Sequence, residues 1–348
     1  MGKSNPIVLI LCGGRSLRLW PLSEYKSKNF LDVFGFSPLE VTIKRFLKVT
    51  SSDNIFLAAN KQEAQALGRL NLIKKENIIL EPESKNTAAA ILLSLLYLKN
   101  RFIPESRIVI SPVDHLIKGE RNFYSALKKA LKTANEGGIC TLGIVPAQPT
   151  SNFGYIQINR EINKGIFSVK KFIEKPSSRR AKSLIQRGNA YYNSGMFIST
   201  LATLEDEFRK YYAFYRDFSN TIAKIAPSAR KISQLYKRIG NIPFDKAIME
   251  KTKKARLIKA AFLWKDFGNW NAVYEVLSRN KKRNVKKGKV FINKGKNNLI
   301  YVNDAIKEVL VMGLDNVVFI DTPQYALLTS RSFLDDLKSS LKTMQNTL

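Results

Sequence analysis

The chain has 348 residues, of which 45% are apolar, and this is enough to bury one large core or two smaller ones. No run approaches the roughly 18 uninterrupted apolar residues that span a bilayer, and the N-terminus lacks the order of a signal peptide, so we expect a cytoplasmic protein without membrane insertion. The net charge of +30 is typical of nucleic-acid binders. However, the lysines are spread along the chain, and the densest run, 279–296, contains a single aromatic residue, which favours a solvated surface without specific nucleic-acid binding.

Short β-rich runs alternate with longer helical patterns through the first 270 residues. The elements predicted in chain order are Ile7–Cys12, Pro38–Val49, Asn54–Ala58, a helix over Lys61–Arg69, Asn77–Leu80, a helix over Thr87–Leu98, Arg107–Ile110, a helix over Phe123–Glu136, and Gly138–Gly143. Strands separated by helices of this length indicate βαβ units. The sequence therefore predicts an α/β fold with a doubly wound, mainly parallel sheet.

The pattern changes after the basic run to short strand-like segments separated by Gly, Asn and Asp turns. These segments are Val290–Asn293, Leu299–Val302, Glu308–Met312 and Val317–Asp321. Their near-regular spacing predicts a small, all-β, β-helix-like appendage, and a polar helix over Arg331–Met344 closes the chain. The predicted division is a large α/β domain over 1–278, a basic linker over 279–289, and a β-rich domain over 290–348.

A glycine turn with many cations follows the first predicted strand. The strand runs into Gly13-Gly14-Arg15-Ser16-Leu17-Arg18, and Lys28 follows shortly afterwards. Glycines let backbone N–H groups approach an anion closely, and the cations offset phosphate charge. The expected ligand is therefore a nucleoside triphosphate. The spacing is neither that of a P-loop nor that of a dinucleotide-binding turn.

Two further motifs stand at the ends of predicted strands, namely Glu81-Pro82 and Asp114-His115. Ligands of doubly wound sheets bind beyond the carboxyl ends of the strands. We therefore expect these two motifs and the glycine turn to converge on one crevice. Cys12 and Cys140 lie in apolar segments without spaced partners, which predicts buried thiols.

The motifs taken together resemble the sugar-1-phosphate nucleotidyltransferases, and within them the mannose-1-phosphate guanylyltransferases. The matching segments, in the order found in that family, are Gly13-Gly14 with Arg18-Leu19-Trp20-Pro21-Leu22-Ser23, Lys28-x-Phe30-Leu31, Glu81-Pro82 with Asn86-Thr87-Ala88, Pro112-x-Asp114-His115, Gly143-Ile144-x-Pro146, Gly154-Tyr155-Ile156, Glu174-Lys175-Pro176, Asn193-Ser194-Gly195-Met196-Phe197 and Trp264-x-Asp266-x-Gly268-x-Trp270. Each segment alone is weakly specific, whereas nine in order are not expected by chance.

This resemblance implies a Rossmann-like nucleotidyltransferase fold and a reaction. An oxygen of α-D-mannose 1-phosphate attacks the α-phosphorus of GTP in line, which gives GDP-mannose and pyrophosphate with the help of Mg²⁺. It also implies a short, monofunctional type of chain that forms a homodimer. We expect transferase activity alone, because the chain lacks the histidines of a metal-dependent isomerase domain.

The resemblance also assigns site residues. It assigns binding of the triphosphate to Gly13, Gly14, Arg18 and Lys28, and binding of Mg²⁺ to Asp114 and Asp266. It assigns binding of the guanine base to Glu81, Asn86 and Thr87, and binding of the sugar phosphate to Gly143, Glu174, Lys175 and Asn193. Of these, Arg18, Lys28, Asp114 and Asp266 are the predicted catalytic residues. Plainer interpretations remain open: ion pairing for the aspartates, a surface position for Lys28, a helix cap for Thr87 and a hairpin turn around Asn193.

Two departures from the family pattern bear on activity. Ser16 stands where the family has a third glycine, and Ser27 stands where a proline usually precedes the lysine. These changes favour, as an alternative function, a nucleotide-sugar-sensing subunit with weakened catalysis. A second alternative is transfer to another hexose or heptose 1-phosphate, because the motifs define a phosphosugar better than its stereochemistry.

Overall fold

The computed structural model describes residues 5–13, 17–25, 37–68, 72–222, 229–277 and 281–347. The chain forms two compact units. The first unit comprises residues 1–13, 42–113 and 117–264, and the second comprises residues 14–41, 114–116 and 265–348. Each unit therefore collects segments that are distant in sequence, and the domain boundaries drawn from the sequence stay a prediction.

The strands are numbered in chain order. They are β1 (Ile7–Leu11), β2 (Ile55–Asn60), β3 (Ile78–Glu81), β4 (Arg107–Pro112), β5 (His115–Lys118), β6 (Ile139–Ile144), β7 (Tyr155–Asn163), β8 (Ile166–Ile173), β9 (Ala190–Thr200), β10 (Ala255–Lys259), β11 (Leu263–Asp266), β12 (Val285–Lys287), β13 (Lys289–Asn293), β14 (Leu299–Val302), β15 (Glu308–Met312), β16 (Val317–Asp321) and β17 (Ala326–Ser330). Strand β12 lies inside the predicted basic linker.

The helices alternate with these strands. They are α1 (Leu22–Tyr25), α2 (Pro38–Phe46), α3 (Lys61–Gly68), α4 (Asn86–Leu98), α5 (Glu120–Ala134), α6 (Ser178–Gln186), α7 (Leu201–Tyr211), α8 (Tyr215–Ile222), α9 (Ala229–Arg238), α10 (Trp270–Leu277) and α11 (Leu337–Thr347). Short 3₁₀ turns cover Leu17–Leu19 and Arg331–Asp336, and a π-helical turn covers Asp245–Met249. Among the described residues, no helix has the length and apolarity that crossing a membrane requires.

The first unit is built on a nine-stranded sheet of order β3-β2-β1-β4-β9-β6-β10-β8-β7. Strands β3, β2, β1 and β4 pair in parallel, as do β6 and β10. Strand β9 runs antiparallel to β4, β6 and β7, and β8 runs antiparallel to β7 and β10. The predicted doubly wound α/β sheet is confirmed, with an added antiparallel part that begins at β9.

Burial explains why the sequence pattern found the parallel part. Residues Ile7–Ile10 of β1 have no exposed surface, which is typical of a central strand that helices cover on both faces. Helix α4 is apolar around most of its circumference, and ten of its residues are buried. Cys12 and Cys140 are buried thiols, as predicted.

The second unit contains the β-helix-like coil. Strands β12, β14 and β16 stack in parallel with Val285, Leu299 and Val318 in register, and β13 pairs in parallel with β15. Parallel pairing of successive short strands produces a coil, so the predicted β-helix-like appendage is confirmed. Strand β17 returns antiparallel to β16, and the three in-register residues share one apolar core with Trp270.

Candidate active site

The glycine turn and Glu81 lie together in the first unit. Gly13 lies two residues after the end of β1, and Glu81 is the last residue of β3. A Cβ atom added to Gly13 would stand 3.7 Å from Oε1 of Glu81, so the carboxyl group reaches the turn. Two of the three predicted strand-end motifs are therefore brought together here, whereas Gly14 lies outside the described residues.

Glu81 is an unusual carboxyl group because it is 5% exposed. Burial raises the pKa of Glu81 to about 8, and the negative charge of Glu63 adds to the shift. This shift favours the protonated form of Glu81 near neutral pH in the free protein. A neutral carboxyl group both donates and accepts hydrogen bonds, and an ionised one only accepts them.

The first turn of helix α4 is held by the segment 242–244. The Thr87 hydroxyl accepts a hydrogen bond from the Phe244 N–H at 2.8 Å, and the Ala88 N–H donates to the Ile242 carbonyl at 3.3 Å. Asn86 has a φ of 68°, and its side-chain oxygen accepts from the Thr87 N–H at 2.9 Å. Lys85 occupies the N-cap of α4, so the capping role considered for Thr87 is wrong.

Glu174 and Lys175 follow β8 as an ion pair. The Lys175 ammonium lies 3.0 Å from Oε1 of Glu174, and the Lys175 and Glu174 side chains are 63% and 10% exposed, respectively. The Glu174 N–H donates to a carboxylate oxygen of Glu250 at 3.1 Å. The arrangement presents an exposed cation beside a largely buried carboxylate.

Asn193 lies inside strand β9 and is buried. Its side-chain oxygen accepts from the Thr141 hydroxyl and the Gly195 N–H, both at 3.0 Å. Its side-chain nitrogen donates to Oδ1 of Asp245 at 2.7 Å. The hairpin turn considered for this segment is wrong: the register between β6 and β9 shifts here, and Gly195 has a φ of 70° within the strand.

Asp245 contacts the predicted sugar residue Asn193, and the sequence motifs did not include it. Burial, and then the negative charge of Glu174, raise the pKa of Asp245 above its usual range. It begins the π-helical turn, and such turns are frequent at functional sites. No motif in the sequence marked it, and the one available signal was a carboxylate among the mostly apolar residues around Phe244.

The glycines of this region have different neighbours. A Cβ atom at Gly143 would stand 2.5 Å from Cδ1 of Leu257, so its missing side chain makes room for core packing. A Cβ atom at Gly154 would stand 2.7 Å from Oε2 of Glu174 and 3.5 Å from Cβ of Asn193. Gly154 therefore faces the predicted sugar residues. The sequence motif that contains it carried no predicted role.

The second unit holds the predicted catalytic residues that the structure describes. Asp114 is buried, and its backbone carbonyl accepts from the Phe267 N–H at 2.8 Å, one residue after Asp266. Arg18 belongs to the 3₁₀ turn before α1 and is partly exposed. Lys28 lies outside the described residues. Convergence of Asp114 with the glycine turn and Glu81 stays a prediction.

Gly268 makes space for the Asp266 carboxylate. A Cβ atom at Gly268 would stand 2.9 and 3.1 Å from the two carboxylate oxygens. A side chain at position 268 would therefore press against the Asp266 carboxylate in its present orientation. The parts of the chain that the structure describes contain no group of three or more Asp, Glu, His or Cys side chains suited to a metal. A cation held here would therefore take much of its coordination from substrate phosphates and water.

Comparison with known proteins decides the family. The sequence model described as Nucleotidyl transferase matches residues 7–283. The chain belongs to the nucleotidyl transferase family. The match covers nearly all of the first unit and extends into the second, and it confirms the predicted family, enzyme class and fold class.

Individual relatives agree with this result. The chain is 32% identical over 329 residues to a mannose-1-phosphate guanylyltransferase of Sinorhizobium fredii, with 90% of this chain and 63% of the relative covered. It is 30% identical to a mannose-1-phosphate guanylyltransferase of Salmonella muenchen, with 96% and 72% covered. A crystal structure from Thermus thermophilus, described as mannose-1-phosphate geranyltransferase, has a TM-score of 0.86 and 27% identity over 98% of this chain and 99% of that one.

Proposed function

We propose that the protein transfers a guanylyl group from GTP to α-D-mannose 1-phosphate, which forms GDP-mannose and releases pyrophosphate. The observation that carries the proposal is the similarity, over 90 to 96% of the chain, to proteins named mannose-1-phosphate guanylyltransferase. The buried carboxyl and amide groups of the first unit support it, because they form a preorganised set of polar partners for a base and a sugar.

The nucleotide residues would act in two ways. Glu81 lies beside the glycine turn, and it would release its proton when guanine binds and then accept hydrogen bonds from the N1–H and 2-amino groups of the base. The Asn86-Thr87 segment would form the rest of the base loop. Backbone N–H groups of the Gly13-Gly14 turn, with Arg18 and Lys28, would hold the triphosphate and offset charge as it moves onto pyrophosphate.

The sugar phosphate would meet Glu174 and Lys175. The carboxylate would accept from vicinal hydroxyl groups, and the exposed ammonium would pair with the phosphate. Both lone-pair directions of the Asn193 oxygen are already used within the protein, so its remaining N–H is the group it offers to a sugar. Gly143 would meet the sugar ring through its backbone alone.

Asp114 and Asp266 would hold Mg²⁺. Carboxylate oxygens suit this hard cation, and the space beside Gly268 fits a carboxylate that must keep one orientation. When bound, the cation would stabilise negative charge on the phosphates and help to align the attacking and leaving oxygens. The carboxylates themselves position it.

Pyrophosphate release tests the proposal. GTP, ATP, UTP and dTTP are each combined with mannose 1-phosphate and with glucose 1-phosphate in the presence of Mg²⁺. We expect release for GTP with mannose 1-phosphate, and loss of release in Lys28→Ala and Asp266→Asn. The exposed residues Lys128 and Asp206 provide matched control variants, Lys128→Ala and Asp206→Asn, which should behave as the wild type.

Other results would support the alternatives. Release with a different sugar phosphate would indicate another acceptor. Binding of GDP-mannose without any release would indicate a sensing subunit, which the serines at positions 16 and 27 favour. A salt-dependent gel shift with DNA or RNA would indicate a nucleic-acid binder.

The predicted homodimer belongs to the same proposal. Strands β13 and β15 expose three large apolar side chains, Phe291 at 65%, Leu310 at 64% and Met312 at 64%. Phe291 and Leu310 are direct neighbours in the strand pairing, so the apolar surface is continuous. Light scattering should give twice the chain mass for the wild type and a single chain mass for Leu310→Lys. The cytoplasmic location stays a prediction.

A further inference from the structure

The segment that carries Arg18 is anchored in the C-terminal core of the second unit. Leu19, Trp20 and Leu22 are buried in the same apolar cluster as Val318 and Ile320 of β16. In addition, the indole N–H of Trp270 donates to the Trp20 carbonyl at 2.8 Å. The residues on both sides of Pro21 are therefore packed against elements from the other end of the chain.

A second anchor holds the end of this segment. Tyr25, the last residue of α1, accepts a hydrogen bond at its hydroxyl from the Gln324 N–H at 3.0 Å, and the Thr322 hydroxyl lies 3.4 Å away. The Tyr325 ring lies 6.3 Å from the Tyr25 ring and 5.6 Å from the Trp20 ring. The contact is thus made of polar and aromatic groups from one short turn between β16 and β17.

That turn is itself rigid. The Thr322 N–H and hydroxyl both donate to the Tyr325 carbonyl, at 2.9 and 2.7 Å, and the Tyr325 N–H donates back to the Thr322 hydroxyl at 3.2 Å. Thr322 is 5% exposed. A turn closed by its own hydrogen bonds provides a fixed surface for Tyr25.

We propose that the turn between β16 and β17 is a positioning element for the phosphate-binding segment, and that Tyr25 is the positioning residue through which it acts on Arg18. This positioning role rests on the proposed function, in which Arg18 contacts the triphosphate. Arginine has a long side chain, so its guanidinium reaches a productive position only from a backbone that is fixed within about 0.5 Å. The C-terminal coil supplies that fixation from outside the nucleotidyl transferase match, which ends at residue 283.

The test compares two tyrosine variants that lose the same atom. Tyr25→Phe removes the hydroxyl that meets the turn and keeps the ring. Tyr97→Phe is the matched control. Tyr97 lies on helix α4, and its hydroxyl makes one hydrogen bond of the same length, to the Glu76 carbonyl at 3.0 Å. Both proteins are purified as the full chain, and their thermal midpoints are measured alongside the kinetics.

We expect Tyr25→Phe to lower kcat/KM for GTP about three- to tenfold, with KM for mannose 1-phosphate unchanged and a midpoint equal to that of Tyr97→Phe. Tyr325→Leu should likewise lower kcat/KM for GTP and leave KM for mannose 1-phosphate unchanged. Wild-type values for GTP in both variants, or an equal rise of KM for both substrates, would overturn the proposal.

Calorimetric titration with GTP and Mg²⁺ separates this proposal from the proposed function. If the wild type binds GTP but transfers nothing, weaker binding by Tyr25→Phe than by Tyr97→Phe still supports positioning, and equal binding refutes it. If the wild type does not bind GTP, the proposed function fails, and the positioning role fails with it.

Discussion

Replacement of Gly268 by alanine tests whether the Asp266 carboxylate must keep its observed position. The added methyl group would stand 2.9 and 3.1 Å from the two carboxylate oxygens. Ordinary contact needs about 3.5 Å, so the carboxylate must move by roughly half an ångström. Catalytic groups tolerate displacements of only about that size, and disturbed support of a metal ligand typically costs about 10- to 100-fold in metal affinity or activity.

We therefore expect Gly268→Ala to lower kcat about 10- to 100-fold and to raise the Mg²⁺ concentration for half-maximal activity. Gly240→Ala is the control, because a Cβ atom there would stand 3.4 and 3.5 Å from Ile242 at an exposed position without unusual backbone geometry. The assay is pyrophosphate release over a Mg²⁺ series, with circular dichroism to compare folding.

Two outcomes would count against this reasoning. Wild-type kcat and wild-type Mg²⁺ dependence in Gly268→Ala would show that the carboxylate adjusts without loss. Loss of activity in Asp266→Asn together with full activity in Gly268→Ala would keep the aspartate as a functional residue but refute the need for its observed orientation.

Two further predictions concern the first unit. The folded state keeps the proton of Glu81 up to about pH 8, whereas the unfolded chain loses it near the ordinary pKa of 4.5. Glu81 therefore lowers the free energy of unfolding progressively as the pH rises through this range. We expect Glu81→Gln to flatten the pH dependence of the thermal midpoint between about pH 5 and 9. An unchanged slope would contradict the raised pKa. Asp245→Ala should raise KM for mannose 1-phosphate about tenfold or more, because loss of a hydrogen bond to a charged group costs about 1.5 to 3 kcal/mol and releases the Asn193 amide. Asp245→Asn keeps an acceptor oxygen and should have a smaller effect, so equal effects would argue against this role.

Local patterns carried the prediction of the regular elements. The apolar run of β1 and the helical periodicity of α5 are visible within a few consecutive residues. In both elements, the residues that the pattern predicts to be buried are buried in the structure. Strands β13, β14, β15 and β16 were found in the same way, from short apolar runs between turn residues, whereas β12 and β17 were not predicted. Strands β7, β8 and β9 were missed. Neither β7 nor β8 has a continuous apolar run, and the second half of β7 is exposed.

The candidate site was predicted only as a set of residue types. Motif order placed Glu174, Asn193 and Asp266 in one family of sites. The sequence could not assign roles within that set, since a role depends on the atoms that a side chain meets in the fold.

The tertiary structure decided those partners. Asp245 reaches Asn193 across 52 residues of sequence, and Tyr25 meets Gln324 across 299. No local period reports such pairs, because hydrogen bonds and close contacts depend on distances in space that are set only once the sheet and the coil have packed. The sequence by itself determined several strands and helices and the family that the chain resembles, because these follow from local patterns and motif order. The packed fold determined which side chains are buried or hydrogen-bonded and which glycines have little room for a side chain, because these depend on contacts between residues that are distant in sequence.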